Sequence, residues 1–308
     1  MSQPPDRRAL LRFVASVPFL GASTWVPGCA IAASAAAGHL AALELSSGGR
    51  LGVAALNTSN GAQVNHRSDE RFAFCSTFKV IAAAAILKRS ATESGLMQRR
   101  LVYRHDELVA YSPITEKHAG EGLTVSELCA AALQYSDNTA ANLMIRLLGG
   151  PAAVTSFARS IGDGAFRLDR WETALNEALP GDPRDTSTPA AMMGSLQRLA
   201  LGDALEVPER TQLVAWMRGS TTGAKRIRAG VPAGWSVADK TGTGDYGTTN
   251  DIGLVWPPGK LPIVLAIYFT QREKAALPRD DVVATAARIV MAASTMKNPA
   301  DRGESKKL

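Results

Sequence analysis

Apolar and polar positions change their spacing twice along this chain. Arg50-Leu51-Gly52-Val53-Ala54-Ala55-Leu56 is a short apolar run ending at Asn57-Thr58-Ser59-Asn60-Gly61, which predicts a strand entering a hairpin turn; a helix over Gly38 to Leu45 precedes it. From Ser76 to about Leu205 apolar residues recur at three and four, in Val80 to Leu87, Val125 to Leu133, Ala140 to Leu148 and Ala190 to Leu201. Pro180, Pro183 and Pro189 interrupt this, so the stretch between Asn176 and Ala190 reads as loop. Strand patterns return in Trp235 to Lys240, Ile252 to Trp256 and Leu261 to Phe269, before a closing helix from Asp280 to Met296. This order predicts an α/β (α+β) fold, with a discontinuous sheet lobe (38-66 and 219-296) embracing an inserted helical lobe (67-218).

At 308 residues and 46% hydrophobic, the chain is long enough for one large core or two lobes sharing a cleft. Its formal charge of +6 is scattered, and its one basic cluster, Lys225-Arg226-Ile227-Arg228, is interrupted, so no nucleic-acid partner is expected. His39, His66, His105 and His118 lack metal-ligand spacing, which argues against zinc hydrolysis and leaves no histidine for a Ser-His-Asp triad. A catalytic base must then be Lys or Glu. No metal and no organic cofactor are expected.

The amino end reads as an export signal over 1-37: Arg7-Arg8, an apolar stretch from Phe13 through Trp25, then small residues. The arginine pair resembles a twin-arginine leader, which implies a periplasmic location. Ala30-Ile31-Ala32 or Ala35-Ala36-Ala37 suits ordinary cleavage, whereas Val26-Pro27-Gly28-Cys29 resembles a lipoprotein site that would anchor the chain through Cys29; both stay open. No later segment is apolar for long enough to span a bilayer, so the mature chain is expected to lack a transmembrane domain and to be a monomer. Cys75 and Cys129 read as packing residues, and the polar tail 297-308 as disordered.

Three short polar motifs then recur in one order: Ser76-Thr77-Phe78-Lys79, Ser136-Asp137-Asn138 and Lys240-Thr241-Gly242. A Ser and a Lys three apart arise roughly once by chance in a chain of this length; the ordered trio does not. Ser76 stands where a helix begins, so Lys79 shares its face and can take its proton directly or through a water, while the helix start offers N–H groups to an oxyanion. The ordinary use of such a serine is an N-cap. Lys240, Thr241 and Thr243 face the cleft from a strand edge, the Thr243 N–H serving with that of Ser76 as oxyanion donors. Ser136 relays a proton to the leaving nitrogen, and Asn138 bonds the substrate amide and Lys79. Between the second and third motifs, Glu172 and Asn176 lie four apart and can hold a water.

These motifs, in this order from about Gly38 to Met296, resemble the class A serine β-lactamases. The resemblance implies a five-stranded antiparallel sheet flanked by helices, an all-helical second lobe and a cleft between them. It implies that Ser76 opens the lactam to an acyl-enzyme and that Glu172, with Asn176, activates the hydrolytic water. Lys79 and Glu172 compete as base for acylation. Tyr111 matches the aromatic rim of the cleft, and Arg170 with Asp185 the ion pair closing the omega loop, 167-185. Many relatives place an arginine after Lys-Thr-Gly to bind the lactam carboxylate; Thr248 to Trp256 has none, and Arg226 resembles the substitute used elsewhere in the family. Cys129 faces no partner because Ala83 stands there, and Cys75 finds no cysteine in Thr243-Gly244-Asp245, so neither disulfide of the family is expected. Two rivals share the serine and lysine motifs: a penicillin-binding peptidase, opposed by Glu172 and Asn176, and a β-lactam receptor, opposed by the lack of membrane helices.

Overall fold

The computed structural model describes residues 27–295. The leader arginines and the tail 297-308 lie outside them. α1 (Pro27–Ser47) precedes the hairpin of β1 (Arg50–Asn57) and β2 (Gln63–His66), and β3 (Phe72–Ala73) leads through a 3-10 turn, Cys75–Phe78, into α2 (Lys79–Ser90). β4 (Arg100–Leu101) pairs with β5 (Leu123–Thr124), after which come α3 (Val125–Gln134), α4 (Asn138–Leu148) and α5 (Pro151–Ser160). β6 (Thr186–Ser187) pairs with β3 and is followed by α6 (Pro189–Ala200), α7 (Val207–Arg218) and the short α8 (Ile227–Gly230). The chain closes with β7 (Ser236–Gly244), β8 (Thr248–Trp256), β9 (Ile263–Thr270) and α9 (Asp280–Thr295).

The main sheet is antiparallel throughout, in the order β2-β1-β9-β8-β7. Its centre, β9, is apolar at nearly every position because both of its faces are covered. Ile263, Leu265, Ile267 and Phe269 join α1 and α9 in one core with Leu40, Val283 and Val290, whereas Val264, Ala266 and Tyr268 turn to the helical side and meet Phe72, Phe78 and Ile86. β7 is left as an edge, and its outer side borders the cleft.

α1 begins well before Gly38 and runs through both candidate cleavage sites. Ala36 and Leu40 are buried against α9, so cutting after Ala37 would remove a packed residue. α2 is buried from Lys79 to Leu87 because alanines on all sides let helices close in around it. Thr124 caps α3 through a capping box with Glu127, and Asp137 caps α4 by accepting from Ala140 N. Ser136 lies in the short connection between the end of α3 at Gln134 and the Asp137 cap of α4.

Candidate active site

Ser76 and Lys79 sit at the junction of β3, the 3-10 turn and α2. The residue before the serine, Cys75, has φ 47, a left-handed setting that costs a side-chain-bearing residue about 1–3 kcal/mol unless its surroundings impose it. Here they do. Asn250 Nδ2 on β8 donates to Ala73 O (2.8 Å) and Phe74 O (3.1 Å), Phe74 N donates to Asp185 O (3.1 Å), and the Phe74 ring stacks on Phe166 with centroids 4.9 Å apart.

Lys79 is fully buried in a cage of oxygen atoms. Its Nζ donates to Ser136 O (2.8 Å) and Asn138 Oδ1 (2.7 Å), lies 3.0 Å from Glu172 Oε1 and reaches Ser136 Oγ at 3.4 Å. Burial lowers its pKa, and the Glu172 carboxylate works against that shift. Lys240 Nζ donates to the same Ser136 Oγ (2.9 Å) and to Thr241 O (2.8 Å). Burial, reinforced by the Lys79 charge, pushes its pKa well below the usual lysine range. Ser136 therefore accepts from two ammonium groups, which leaves its own hydrogen to be given elsewhere.

Ser136 itself is at φ 60. Asp137 fixes it by accepting from Ala140 N (2.8 Å), Ile114 N (3.0 Å), Thr115 N (2.9 Å) and Thr115 Oγ1 (2.8 Å). The segment leading to Ile114, between β4 and β5, presents Tyr111, which is 62% exposed with φ 59, and Tyr111 O accepts from Asn138 N (3.1 Å).

Glu172 points inward and is 4% exposed. Its Oε1 accepts from Ser76 Oγ at 3.2 Å, and its Oε2 from Asn176 Nδ2 at 2.6 Å. Asn176 Oδ1 is buried without a protein partner among the described residues. Asn142 on α4 clamps the Glu172 backbone, accepting from its N–H and donating to its C=O, both at 2.9 Å. The loop bearing Glu172 is closed by Asp185, which accepts from Asp169 N (2.8 Å), Arg170 N (3.0 Å) and Arg170 Nε (2.6 Å) while fully buried. Asp185→Ala takes the acceptor from Asp169 N and Arg170 N and leaves the Arg170 guanidinium held only by Glu177 Oε2 (2.6 Å), a loss worth roughly 1–3 kcal/mol; a denaturant titration is expected to report that loss, together with protease cleavage within 167-185. Unchanged stability would remove Asp185 from its bracing role.

β7 approaches this loop so closely that glycine is required. A Cβ on Gly242 would lie 2.6 Å from Phe74 O, and one on Gly244 2.6 Å from Asn176 O and 2.7 Å from Cys75 Sγ. Thr241 Oγ1 pairs with Thr222 Oγ1 (2.6 Å). Arg226 is 7% exposed, and its donors are engaged: Nε to Asp280 (2.7 Å), Nη1 to Gly242 O and Asn250 O (both 2.8 Å), Nη2 to Thr243 Oγ1 (2.8 Å). Any carboxylate in the cleft would therefore feel Arg226 through the Thr243 hydroxyl. Cys75 and Cys129 are both free and buried, and burial raises both thiol pKa values.

The structure thus gathers Ser76, Lys79, Ser136, Asn138, Glu172, Asn176, Lys240 and Thr241 into one network and sets Thr243 and Tyr111 at its edges. Three contributors escaped the sequence reading. Asn142 is one helical turn beyond Asn138, so its spacing could have revealed it. Asn250 lies in the polar run Thr248-Thr249-Asn250-Asp251 of an otherwise apolar inner strand, a local conflict that marks a site. Thr222 carries no such signal.

Residues 35–294 match the model of the Beta-lactamase enzyme family. Over 290 residues the chain is 57% identical to beta-lactamase CTX-M-25 of Escherichia coli, covering 94% of this chain and 99% of that protein. It is 56% identical to beta-lactamase OXY-1 of Klebsiella oxytoca, covering 92% and 97%. Among solved structures, a beta-lactamase from Desulfarculus baarsii superposes with a TM-score of 0.85 at 59% identity, covering 86% of this chain and 99% of that one.

Proposed function

Because the chain belongs to the β-lactamase enzyme family, we propose that the network around Ser76 performs the family's hydrolysis in two steps on one serine. The protein is a β-lactam amidohydrolase, and hydrolysis of the lactam amide confers resistance to these antibiotics. In the first step Ser76 Oγ attacks the lactam carbonyl carbon and gives its proton to Lys79, or to Glu172, which hands it on to Lys79 once that ammonium has reprotonated Ser136 and is thereby ionised again for the second step. The resulting oxyanion is held by the N–H groups of Ser76 and Thr243, each such donor worth about 3 kcal/mol in the transition state. The C–N bond then breaks, and Ser136 passes its proton to the departing nitrogen, drawing a replacement from a neighbouring ammonium. In the second step Glu172 takes a proton from a water held with Asn176; the water oxygen attacks the ester carbon and Ser76 Oγ leaves, regaining a hydrogen. Asn138, Thr241 and Lys240 bind the substrate's amide and carboxylate, with Arg226 supporting Thr243. Tyr111 flanks the rim.

One observation carries this reading: a single carboxylate touches Ser76, Lys79 and Asn176 at once. A peptidase that stalls at its acyl-enzyme has no need of a base at that place. Hydrolysis of a panel of penicillins, cephalosporins and a carbapenem tests it. Multiple turnovers on at least the first two classes are expected; a stoichiometric adduct on Ser76 with no turnover would hand the site to the peptidase or receptor reading.

The export reading places the enzyme in the periplasm. Among the described residues no helix is long and apolar enough to cross a membrane. Metabolic labelling with a fatty acid distinguishes a chain anchored through Cys29 from one cleaved beyond it.

A further inference from the structure

We propose that Asn250, which belongs to none of the three motifs, is a positioning residue for the nucleophile; this rests on reading Ser76 as the acylated group. Its carboxamide is fully buried on β8, and Nδ2 gives one hydrogen to Ala73 O at 2.8 Å and the other to Phe74 O at 3.1 Å. These are the last two carbonyls before Cys75, whose left-handed backbone aims Ser76. One planar group thereby fixes two successive peptide planes. Its orientation is dictated by chemistry, since the amide oxygen turned the other way would face two carbonyl oxygens.

The bonding is arranged for this task at some expense. Asn250 Oδ1 is buried with no partner among the described residues, so an acceptor goes unmet while both hydrogens are spent on the turn. Phe74 O also accepts from Thr77 N (3.2 Å) and Thr77 Oγ1 (2.9 Å), so the clamp grips the turn on both sides of Ser76. The backbone carbonyl of Asn250 takes a hydrogen bond from Arg226 Nη1, and Arg226 Nη2 holds Thr243 Oγ1. Asn250 thus ties the serine turn to the strand that supplies the other oxyanion donor.

Single-turnover kinetics with a chromogenic cephalosporin, on the full chain and on Asn250→Ala and Asn250→Asp, test this. Loosening the turn by an ångström costs on the order of 10²-fold in rate, so acylation is expected to slow by roughly 10- to 100-fold in both variants while the noncovalent dissociation constant stays within about threefold. Asn250→Asp adds a signature that a loss of packing would not give. Its carboxylate has no hydrogen for either carbonyl and its neutral acid has one, so the ratio of its acylation rate to that of the wild type should rise at least about threefold between about pH 8 and about pH 5.5. Acylation within about twofold of the wild type, a loss lying wholly in the dissociation constant, or a ratio flat with pH would each overturn the proposal. If Asn250→Ala melts before assay, the pH ratio of the Asp variant decides alone. A wild type that neither opens the cephalosporin nor forms a Ser76 adduct would sink the acylation reading first, in the control reaction, and the proposal with it.

Discussion

Replacing Glu172 with Gln should leave an enzyme that still acylates and then stops. The amide keeps the shape of the side chain and its bond to Asn176, but it cannot take a proton from water, and loss of a general base slows a step by roughly 10²–10⁴-fold. Acylation survives because a second base is at hand. Burial already lowers the Lys79 pKa, and the Glu172 carboxylate is the largest influence opposing that shift. Removing the carboxylate's charge therefore lets the amine lose its proton at lower pH, freeing it to accept the proton of Ser76. Intact-mass spectrometry should find a persistent adduct on Ser76 while steady-state turnover collapses. If the variant turns over at the wild-type rate, the hydrolytic role of Glu172 is lost; if no adduct forms, Lys79 is not the second base.

Lys79→Met is expected to fail one step earlier. Methionine fills much of the same volume, but Ser136 O and Asn138 Oδ1 lose their donor, and the Glu172 carboxylate is left buried without its nearest cation. Acylation should fall by about 10²–10⁴-fold, the range set by removing a proton carrier, with no adduct accumulating in the mass spectrum. Lys240, relieved of a like charge, should recover a pKa nearer the ordinary lysine value, because the Lys79 charge is second only to burial in depressing it. An adduct building up at the wild-type rate would contradict this assignment.

The contrast between these variants rests on contacts between residues far apart in the chain. Ser76 and Lys79 could be placed together because three residues of helix put them there, and the pairing of Glu172 with Asn176 followed from four. That Glu172 would reach Ser76 depends on Asn142 and Asp185 folding the intervening loop back, and neither is adjacent to it in the chain. The same limit applied to secondary structure. The strand pattern of Trp235 to Lys240 stops where the small residues begin, yet β7 runs on to Gly244, and its glycines mark close backbone approach. β8 begins at Thr248, four residues before its apolar stretch, because the polar stretch is buried beneath the site. α5 and α7 went unread, the first burying only Val154 and Ala158, the second only Leu213, Trp216 and Met217, stripes too narrow to give a clear period. The central strands, by contrast, were plain, since burial on both faces demands unbroken apolar runs.

β1 pairs along its whole length with β9, from Arg50 opposite Thr270 to Asn57 opposite Ile263. A ribosome releases the first of these strands long before it makes the second, so during synthesis one edge of Arg50–Asn57 has no partner and its apolar face no cover. This half of the molecule can close only once Thr270 has been made, and until then the nascent chain needs a chaperone or its own collapsed helices to keep that edge from pairing with a neighbour.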